Sequence, residues 1–493
     1  MRRNTVSLLP ALLLALTWNS THAQNAADGS LPPNLLLIIA DDLGVESLAS
    51  YGIGSPTAVT PNLDRLAARG ARFENFWAAP TCSPTRAQIV SGRYAFRTGV
   101  WSPIFEYADL LGLDESPIPP PEGSNKEINF SPLGLVPLGW RVTPEMRARG
   151  LPPGLPLSER ALPAVLTGGD SNYVAGGFGK WHLNSDNNGY LDHPNVAGFS
   201  HYSGIPFGAP ESFFSWYHNT NGTASVERGY ADQRIVDDTV AWIREQDQSW
   251  FAWVGLANPH VPEHLPPTRY LSSDARNLDP DDLTPENTQP YFLARIEAMD
   301  TLIGQLLAGI PEEAMNRTYV FFVGDNGSVN WSDPPRPVPP DRAKGTIYQG
   351  GIHVPFIAAG PGIEPGSVES ALAGVVDIFT TLIELSGADV REAVGDDRPI
   401  DSRSFAQILR GDPNAPRREF LYMESSFGGA DSAAVRNDRY KLVRISGPDG
   451  ERDELYDLLQ DPYEERDLLD AGNDGVAQIH DALMSELLRL RAQ

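Results

Sequence analysis

Reactive side chains fall in separated places along this chain. Asp41-Asp42 closes the apolar run Asn34–Ala40, and Gly324-Asp325-Asn326-Gly327 closes a second run at 318–323. Three carboxylates and one amide are hard oxygen donors without thiolate or imidazole, a set suited to Ca²⁺ or Mg²⁺ and not to Zn²⁺. Either acidic pair alone reads equally as a helix cap or a turn. Their recurrence after two similar runs is what points to a shared site. Cys82, within Ala79-Pro80-Thr81-Cys82-Ser83-Pro84-Thr85-Arg86-Ala87, is the only cysteine in 493 residues and cannot staple its own chain. A free cysteine is ordinarily a small buried hydrophobe. In an oxidising compartment it must be buried or chemically converted. Lys180 and His182 are separated by one residue. In an extended chain that spacing turns ammonium and imidazole to one face, where both meet one anion.

The elements that hold these groups follow from the apolar patterns. Asn34–Ala40 has no polar alternation, so it reads as a strand buried on both faces, as in parallel sheets. Residues 318–323 and 250–256 read the same way, and ligands of open α/β sheets collect outside the carboxyl ends of such strands. A helix is expected within 56–76, with Leu63, Leu66 and Ala67 on one face and Gly70 as terminator. A second helix is expected over 372–385. The fold class is therefore α/β, a large mixed and mostly parallel sheet sandwiched by helices. Residues 102–154 are Pro-rich and read as a long loop, either a wall of the substrate pocket or a plain surface excursion. Residues 334–340 read as a loop at the site rim. Short runs at 420–423, 433–436, 440–444 and 454–458 predict a small antiparallel sheet. Val476, Ile479, Leu483, Leu487 and Leu490 predict a closing helix over 475–491. The expected organisation is a signal peptide at 1–23, a catalytic domain at 32–400 and a C-terminal α+β subdomain at 416–493.

The address and the partners follow from composition. Arg2 and Arg3, the apolar run 8–16 and Thr21-His22-Ala23 before Gln24 predict a cleaved secretory signal. No later stretch approaches the roughly 20 apolar residues of a membrane span. With no cysteine pair, the expectation is a soluble exported protein, bacterial and periplasmic or secreted. A formal net charge of −26 excludes nucleic acid and anionic membrane as partners. An anionic substrate would need cations concentrated locally against that charge.

Beyond these readings, the segments Thr60-Pro61-Asn62-Leu63-Asp64-Arg65-Leu66-Ala67, Cys82-Ser83-Pro84-Thr85-Arg86, Gly177-Phe178-Gly179-Lys180-Trp181-His182, Asn258-Pro259-His260-Val261-Pro262 and the stretch from Lys344 through Gly350-Gly351 to Pro355 resemble, in order, the type I sulfatase family of the alkaline-phosphatase-like superfamily. The resemblance implies that a dedicated maturation enzyme oxidises Cys82 to formylglycine. The aldehyde hydrate attacks sulfur with one hydroxyl and uses the other to expel sulfate. It also implies one Ca²⁺, with Mg²⁺ as the alternative, held by Asp41, Asp42, Asp325, Asn326 and the converted Cys82. Arg86 would hold the formylglycine end, Lys180 and Lys344 the sulfuryl oxygens. His260 would protonate the departing alcohol and His182 accept the proton of the second hydroxyl, with the two histidine roles interchangeable. Gln349 and His353 depart from the Glu and Arg common in the family.

The implied reaction is hydrolysis of an aryl or carbohydrate sulfate. The competing enzyme is a formylglycine-dependent phosphonate monoester or phosphodiester hydrolase. An inactive binder of sulfated glycans ranks last because the ligand set is intact. Tyr202, Trp216, Tyr217 and His218 would stack on substrate or sit in the core. His264 would lie in the pocket or at the surface.

Overall fold

Asn34–Ala40 (β1) occupies the middle of a ten-stranded sheet, and every one of its residues is buried. The structure, a computed structural model, describes residues 31–492 except 105–123, 129–153, 170, 330–336, 396, 428–429, 449 and 473. The expected signal at 1–23, most of the loop at 102–154 and part of 334–340 lie outside the described residues. Alternate side chains of β1 enter different cores, Leu35, Leu37 and Ile39 on one face and Leu36, Ile38 and Ala40 on the other. Two buried faces leave no position for a polar residue, which is why the run shows no alternation.

The remaining strands of this sheet are β2 (Ala71–Phe73), β3 (Tyr173–Gly179), β4 (His201–Gly204), β5 (Ser215–Thr220), β6 (Thr223–Arg228), β7 (Ser249–Gly255), β8 (Thr318–Gly324), β9 (Phe356–Ala359) and β10 (Ser367–Glu369). Their order is β10-β2-β9-β8-β1-β7-β3-β4-β5-β6. The run β8-β1-β7-β3-β4 is parallel. The antiparallel pairs β8–β9, β9–β2, β4–β5 and β5–β6 lie outside it. The register matters more than the order. Ala40 pairs with Gly324, Ile39 with Gly255, and Gly255 with Gly179. Strands β8, β1, β7 and β3 therefore end at one level, and the residues that follow them emerge side by side.

Helices cover both faces. α1 (Pro61–Ala68), α3 (Ala231–Arg244) and α4 (Gln289–Gly309) pack on the Leu36 and Ile38 face through Leu63, Ile235 and Phe292. α2 (Cys82–Ser91) and α5 (Ile378–Leu385) pack on the other through Ile89, Val90 and Leu382. The helix expected over 372–385 begins later than its hydrophobicity suggests. Ala373–Gly374 is a short strand beside Phe76–Trp77, and Val375–Asp377 is a 3-10 turn. Asp377 accepts the Gly374 backbone N–H at 3.1 Å, so this carboxylate ends the strand and starts the helix.

Strands β11 (Leu421–Ser425), β12 (Asp431–Arg436), β13 (Tyr440–Gly447) and β14 (Gly450–Asp457) form the expected antiparallel sheet. One face takes α6 (Asp474–Ala492) through Leu483 and Leu487. The other face, with Met423, Ala434 and Val443, packs on Trp77 and Ile352. Buried Lys441 reaches Glu464 at 2.5 Å and the Ile347 carbonyl at 2.8 Å. That contact ties this sheet to the segment carrying Lys344.

His480 of α6 meets Asp453 of β14 at 2.9 Å, and its hydrogen bond to that carboxylate raises its pKa. A raised histidine stabilises fully below its unfolded value near 6.5, and the gain is lost as pH rises through the folded value. His480→Gln is thus expected to lower Tm at pH 5.5 and to have little effect at pH 8.5. Thermal melts of both proteins across that range check this. Among the described residues no helix is long and apolar enough to cross a membrane.

Candidate active site

Four strand ends and one helix start converge here. β1 delivers Asp41 and Asp42, β8 delivers Asp325 and Asn326, β3 delivers Lys180, and the turn after β7 delivers His260. Cys82 is the first residue of α2, and Arg86 lies one turn further along the same helix. The site residues Asp41, Asp42, Arg86, Lys180, Asp325 and Asn326 are all fully buried, and Cys82 is 3% exposed. Lys180 reaches the site because its backbone N–H bonds to Gly255 O at 2.8 Å across a close approach of two strand ends. A Cβ on Gly179, which has φ 75, would lie 2.0 Å from that carbonyl oxygen, so only glycine fits.

Opposite charges pair throughout. Lys180 Nζ donates to Asp41 Oδ2 at 2.6 Å. Lys344 Nζ donates to Asp42 Oδ1 and lies 3.7 Å from Cys82 Sγ. Arg86 grips Asp325 Oδ2 through Nη2 at 2.8 Å and Nε at 3.1 Å, and its Nη1 donates to Lys180 O at 2.6 Å. The guanidinium expected to hold the residue-82 side chain therefore spends these bonds on an acidic loop and on the backbone of Lys180. Asp42, at φ 70, donates its backbone N–H to Asp325 Oδ1 at 3.1 Å, which locks the two acidic loops together.

These surroundings set the protonation states. Burial, reinforced by the Asp325 charge, pushes Asp41 well above the usual carboxylate range. Burial acts on Asp42 in the same direction, but Lys344 and His260 hold it below that range. Burial pushes the Cys82 thiol up to about 12 despite Lys180 and Lys344, so the cysteine is a neutral thiol and not an activated thiolate. Burial also lowers both histidines, His260 to about 3 against the pull of Asp42, and His182 with Lys180 adding to the effect.

Carbonyl partners fix the neutral tautomers. His260 Nδ1 is 2.8 Å from Val261 O, so it carries the proton and leaves Nε2 as the acceptor, 3.7 Å from Asp42 Oδ2. His182 Nε2 donates to Ile104 O at 2.9 Å, which leaves Nδ1 as a buried acceptor without a partner. His182 has φ 59, so the chain is not extended there. The turn after β3, and not strand alternation, brings His182 beside Lys180.

The donor set fits a hard divalent cation. Asp41 Oδ1, Asp42 Oδ2 and Asn326 Oδ1 are buried oxygens without a hydrogen-bond partner among the described residues. One ligand atom from each of Asp41, Asp42, Cys82 and His260 lies within 4.8 Å of the others. Buried oxygens left unpaired in this way are costly unless a cation meets them.

Three supports escape a reading by motif. Ser328 Oγ accepts from Gly44 N at 3.1 Å while its carbonyl accepts from Lys344 N at 3.0 Å, joining both acidic loops to the lysine. Arg295 donates to Pro262 O at 3.2 Å and His260 O at 3.4 Å and pairs with Glu263. Asp232 accepts Ala257 N at 2.8 Å, Asn258 N at 3.0 Å and Asn258 Nδ2 at 2.6 Å. It thereby holds the turn carrying His260. No motif marks Asp232, which lies near the start of α3 like any helix-capping acid. Asp232→Ala strands three buried donors at about 1–3 kcal/mol each. The expected outcome is a loss of about 3 kcal/mol or more in urea denaturation together with reduced kcat, and a partial rescue of both by Asp232→Asn.

Other candidates lie in the core. His264 is fully buried, with its ring 4.1 Å from Phe213 and Nε2 at 3.1 Å from Tyr230 Oη, and is neither pocket nor surface. Tyr202 and Trp216 are fully buried and His218 nearly so, which leaves them no face for stacking on substrate.

A family model described as Sulfatase matches residues 33–388, and one described as N-sulphoglucosamine sulphohydrolase, C-terminal, matches 343–493. Arylsulfatase G of Rattus norvegicus is 28% identical over 471 residues, covering 84% of this chain and 76% of the relative. N-acetylgalactosamine-6-sulfatase of Canis lupus familiaris is 27% identical, covering 83% of this chain and 72% of the relative. Among solved structures, Ps i-CgsB in complex with k-i-k-neocarrahexaose superposes with TM-score 0.70 at 20% identity, over 93% of this chain and 92% of that one. BT4656 in complex with its substrate D-Glucosamine-2-N, 6-O-disulfate gives TM-score 0.69 at 18% identity, over 94% and 98%. The expectation of a phosphonate or phosphodiester hydrolase finds no support among these relatives. The fold is alkaline-phosphatase-like, the paired acidic loops meet at Cys82, and the chain belongs to the sulfatase family as an enzyme that hydrolyses sulfate esters.

Proposed function

We propose that this enzyme releases sulfate from a sulfated saccharide, using a formylglycine made from Cys82 and one Ca²⁺ held by Asp41, Asp42, Asp325 and Asn326. The observation that carries the reading is the trio of unpaired buried oxygens on Asp41, Asp42 and Asn326, with both aspartates grouped around Cys82. The ion supplies Lewis acidity and a template for a sulfate oxygen. The hydrated aldehyde supplies one hydroxyl to attack sulfur and a second to release sulfate.

The chain's own residues do the rest. Arg86, Lys180 and Lys344 offset the charges of Asp41, Asp42 and Asp325, so a bound divalent cation leaves the site net positive within an acidic protein. That is the local field an anionic substrate requires. Lys180 and Lys344 hold the sulfuryl oxygens as charge builds in the transition state. His260 protonates the departing alcohol oxygen from Nε2, which is the acceptor in this structure and must first take up a proton, and His182 takes a proton on Nδ1 from the second hydroxyl. Arg86 is a positioning residue, fixing Asp325 and the Lys180 backbone.

The saccharide reading is supported by relatives and neighbours named for, or bound to, sulfated sugars. The basic, apolar and small-residue pattern at 2–23 supports export to a periplasm or beyond, after encounter with a formylglycine-generating enzyme. The test compares sulfate release from sulfated mono- and oligosaccharides with that from 4-nitrophenyl sulfate. A kcat/KM for the aryl ester above that of every saccharide would overturn the saccharide reading while leaving the sulfatase assignment intact.

A further inference from the structure

Ser83 follows Cys82 as the second residue of α2 and is fully buried. A serine in the first turn of a helix ordinarily turns its oxygen to N–H groups of its own helix. Here the Ser83 Oγ instead accepts the N–H of Ile104, 21 residues away, at 3.1 Å. The carbonyl oxygen of Ile104 in turn accepts Nε2 of His182 at 2.9 Å. One residue thus joins the helix that carries Cys82 to a histidine of the site.

Ile104 has little freedom between these two bonds. Its side chain is 2% exposed and lies in the same core as Ile89 and Val90 of α2. Pro103 before it has a fixed φ. Further back, Trp101 O accepts Ser426 N at 3.2 Å, just past the end of β11 in the C-terminal sheet. With its N–H held and its side chain packed, Ile104 aims its carbonyl at His182.

That aim matters because burial, with Lys180 adding to it, keeps the His182 ring neutral. A neutral imidazole carries one proton, and the hydrogen bond made by one nitrogen sets the state of the other. A proton on Nε2 leaves Nδ1 an acceptor, and Nδ1 has no partner among the described residues. A proton on Nδ1 would remove that acceptor.

We propose that Ser83 is a positioning residue for His182: through Ile104 it fixes the orientation of the ring and keeps the proton on Nε2, so that Nδ1 stays available as a base. The catalytic consequence rests on the role given to His182 above, which falls after the alcohol has left. Ser83 should therefore affect the release of sulfate and not the departure of the alcohol. kcat/KM reports the steps up to that departure, whereas kcat includes the release.

The first readout needs no turnover. In the full chain with Cys82 unconverted, nitrogen NMR of isotope-labelled histidine is expected to show the His182 proton on Nε2 and none on Nδ1, the signals being assigned by their loss in His182→Ala. Ser83→Ala keeps α2, because alanine is a good helix former. In that variant the two nitrogen shifts are expected to move toward each other as both tautomers become populated, and Ser83→Thr, which keeps the hydroxyl, is expected to restore the wild-type pattern. The second readout is kinetic, in converted enzyme, with rates divided by the formylglycine content of the peptide spanning 79–87. Ser83→Ala is expected to lower kcat by about 10–100-fold and KM with it, leaving kcat/KM for 4-nitrophenyl sulfate near the wild-type value. Wild-type nitrogen shifts in Ser83→Ala, or a kcat/KM that falls as far as kcat, overturn the proposal. His182→Ala, assayed alongside, separates the two readings: if its kcat/KM also falls as far as its kcat, the release role of His182 fails, and the nitrogen shifts alone judge Ser83.

Discussion

Cys82→Ala is expected to abolish sulfate release while leaving the fold in place. Cys82 is 3% exposed at the first turn of α2, where alanine is a good helix former, so truncating the thiol costs about 1 kcal/mol. Loss of a nucleophile in a preorganised site lowers kcat by roughly 10⁴-fold or more. Serine is the sharper probe. It offers one hydroxyl for attack and none to release sulfate, so Cys82→Ser is expected to stall at or before a single turnover. The modification is read directly from the mass of the peptide spanning 79–87, in which conversion replaces H₂S by one oxygen. A fully active preparation that retains the unmodified thiol there would sink the assignment. Expression without a maturation enzyme should yield a folded, inactive protein.

Asp325→Ala is expected to damage both stability and cation binding. Its carboxylate accepts Arg86 at 2.8 and 3.1 Å and the Asp42 N–H at 3.1 Å, and both members of the ion pair are fully buried. Removing one partner leaves a buried guanidinium unpaired, at a cost of about 3–5 kcal/mol. The same substitution removes one of the oxygen donors assigned to Ca²⁺. In the wild type, Ca²⁺ at a hundred times its Kd adds about 2.7 kcal/mol, read as a rise in Tm over the EGTA-treated protein. In Asp325→Ala that rise should vanish at the same concentration. A variant whose Tm still climbs with Ca²⁺ as the wild type's does would remove Asp325 from the ligand set. Asp325→Asn keeps an acceptor for the Asp42 N–H and is expected to fall between the two in stability.

Local chemistry by itself determined a good deal of this protein. Unbroken apolar runs at 34–40 and 318–323 announce strands buried on both faces, because a face in contact with water would have required polar residues. Oxygen-only donors after those runs announce a hard cation. The lone Cys82, with its flanking motifs, announces the reactive segment. Tertiary structure alone decided how these pieces meet. The register that pairs Ala40 with Gly324 and Gly255 with Gly179 sets four strand ends level, and no short-range pattern carries a pairing across hundreds of residues. Arg86 turns to Asp325, His182 reaches the site through a left-handed residue, and Asp232 supports His260 from another helix. Each of these depends on burial that only the packed core creates. A buried charge or amide takes whatever partner the fold sets beside it, since leaving it unpaired costs more than any local preference supplies.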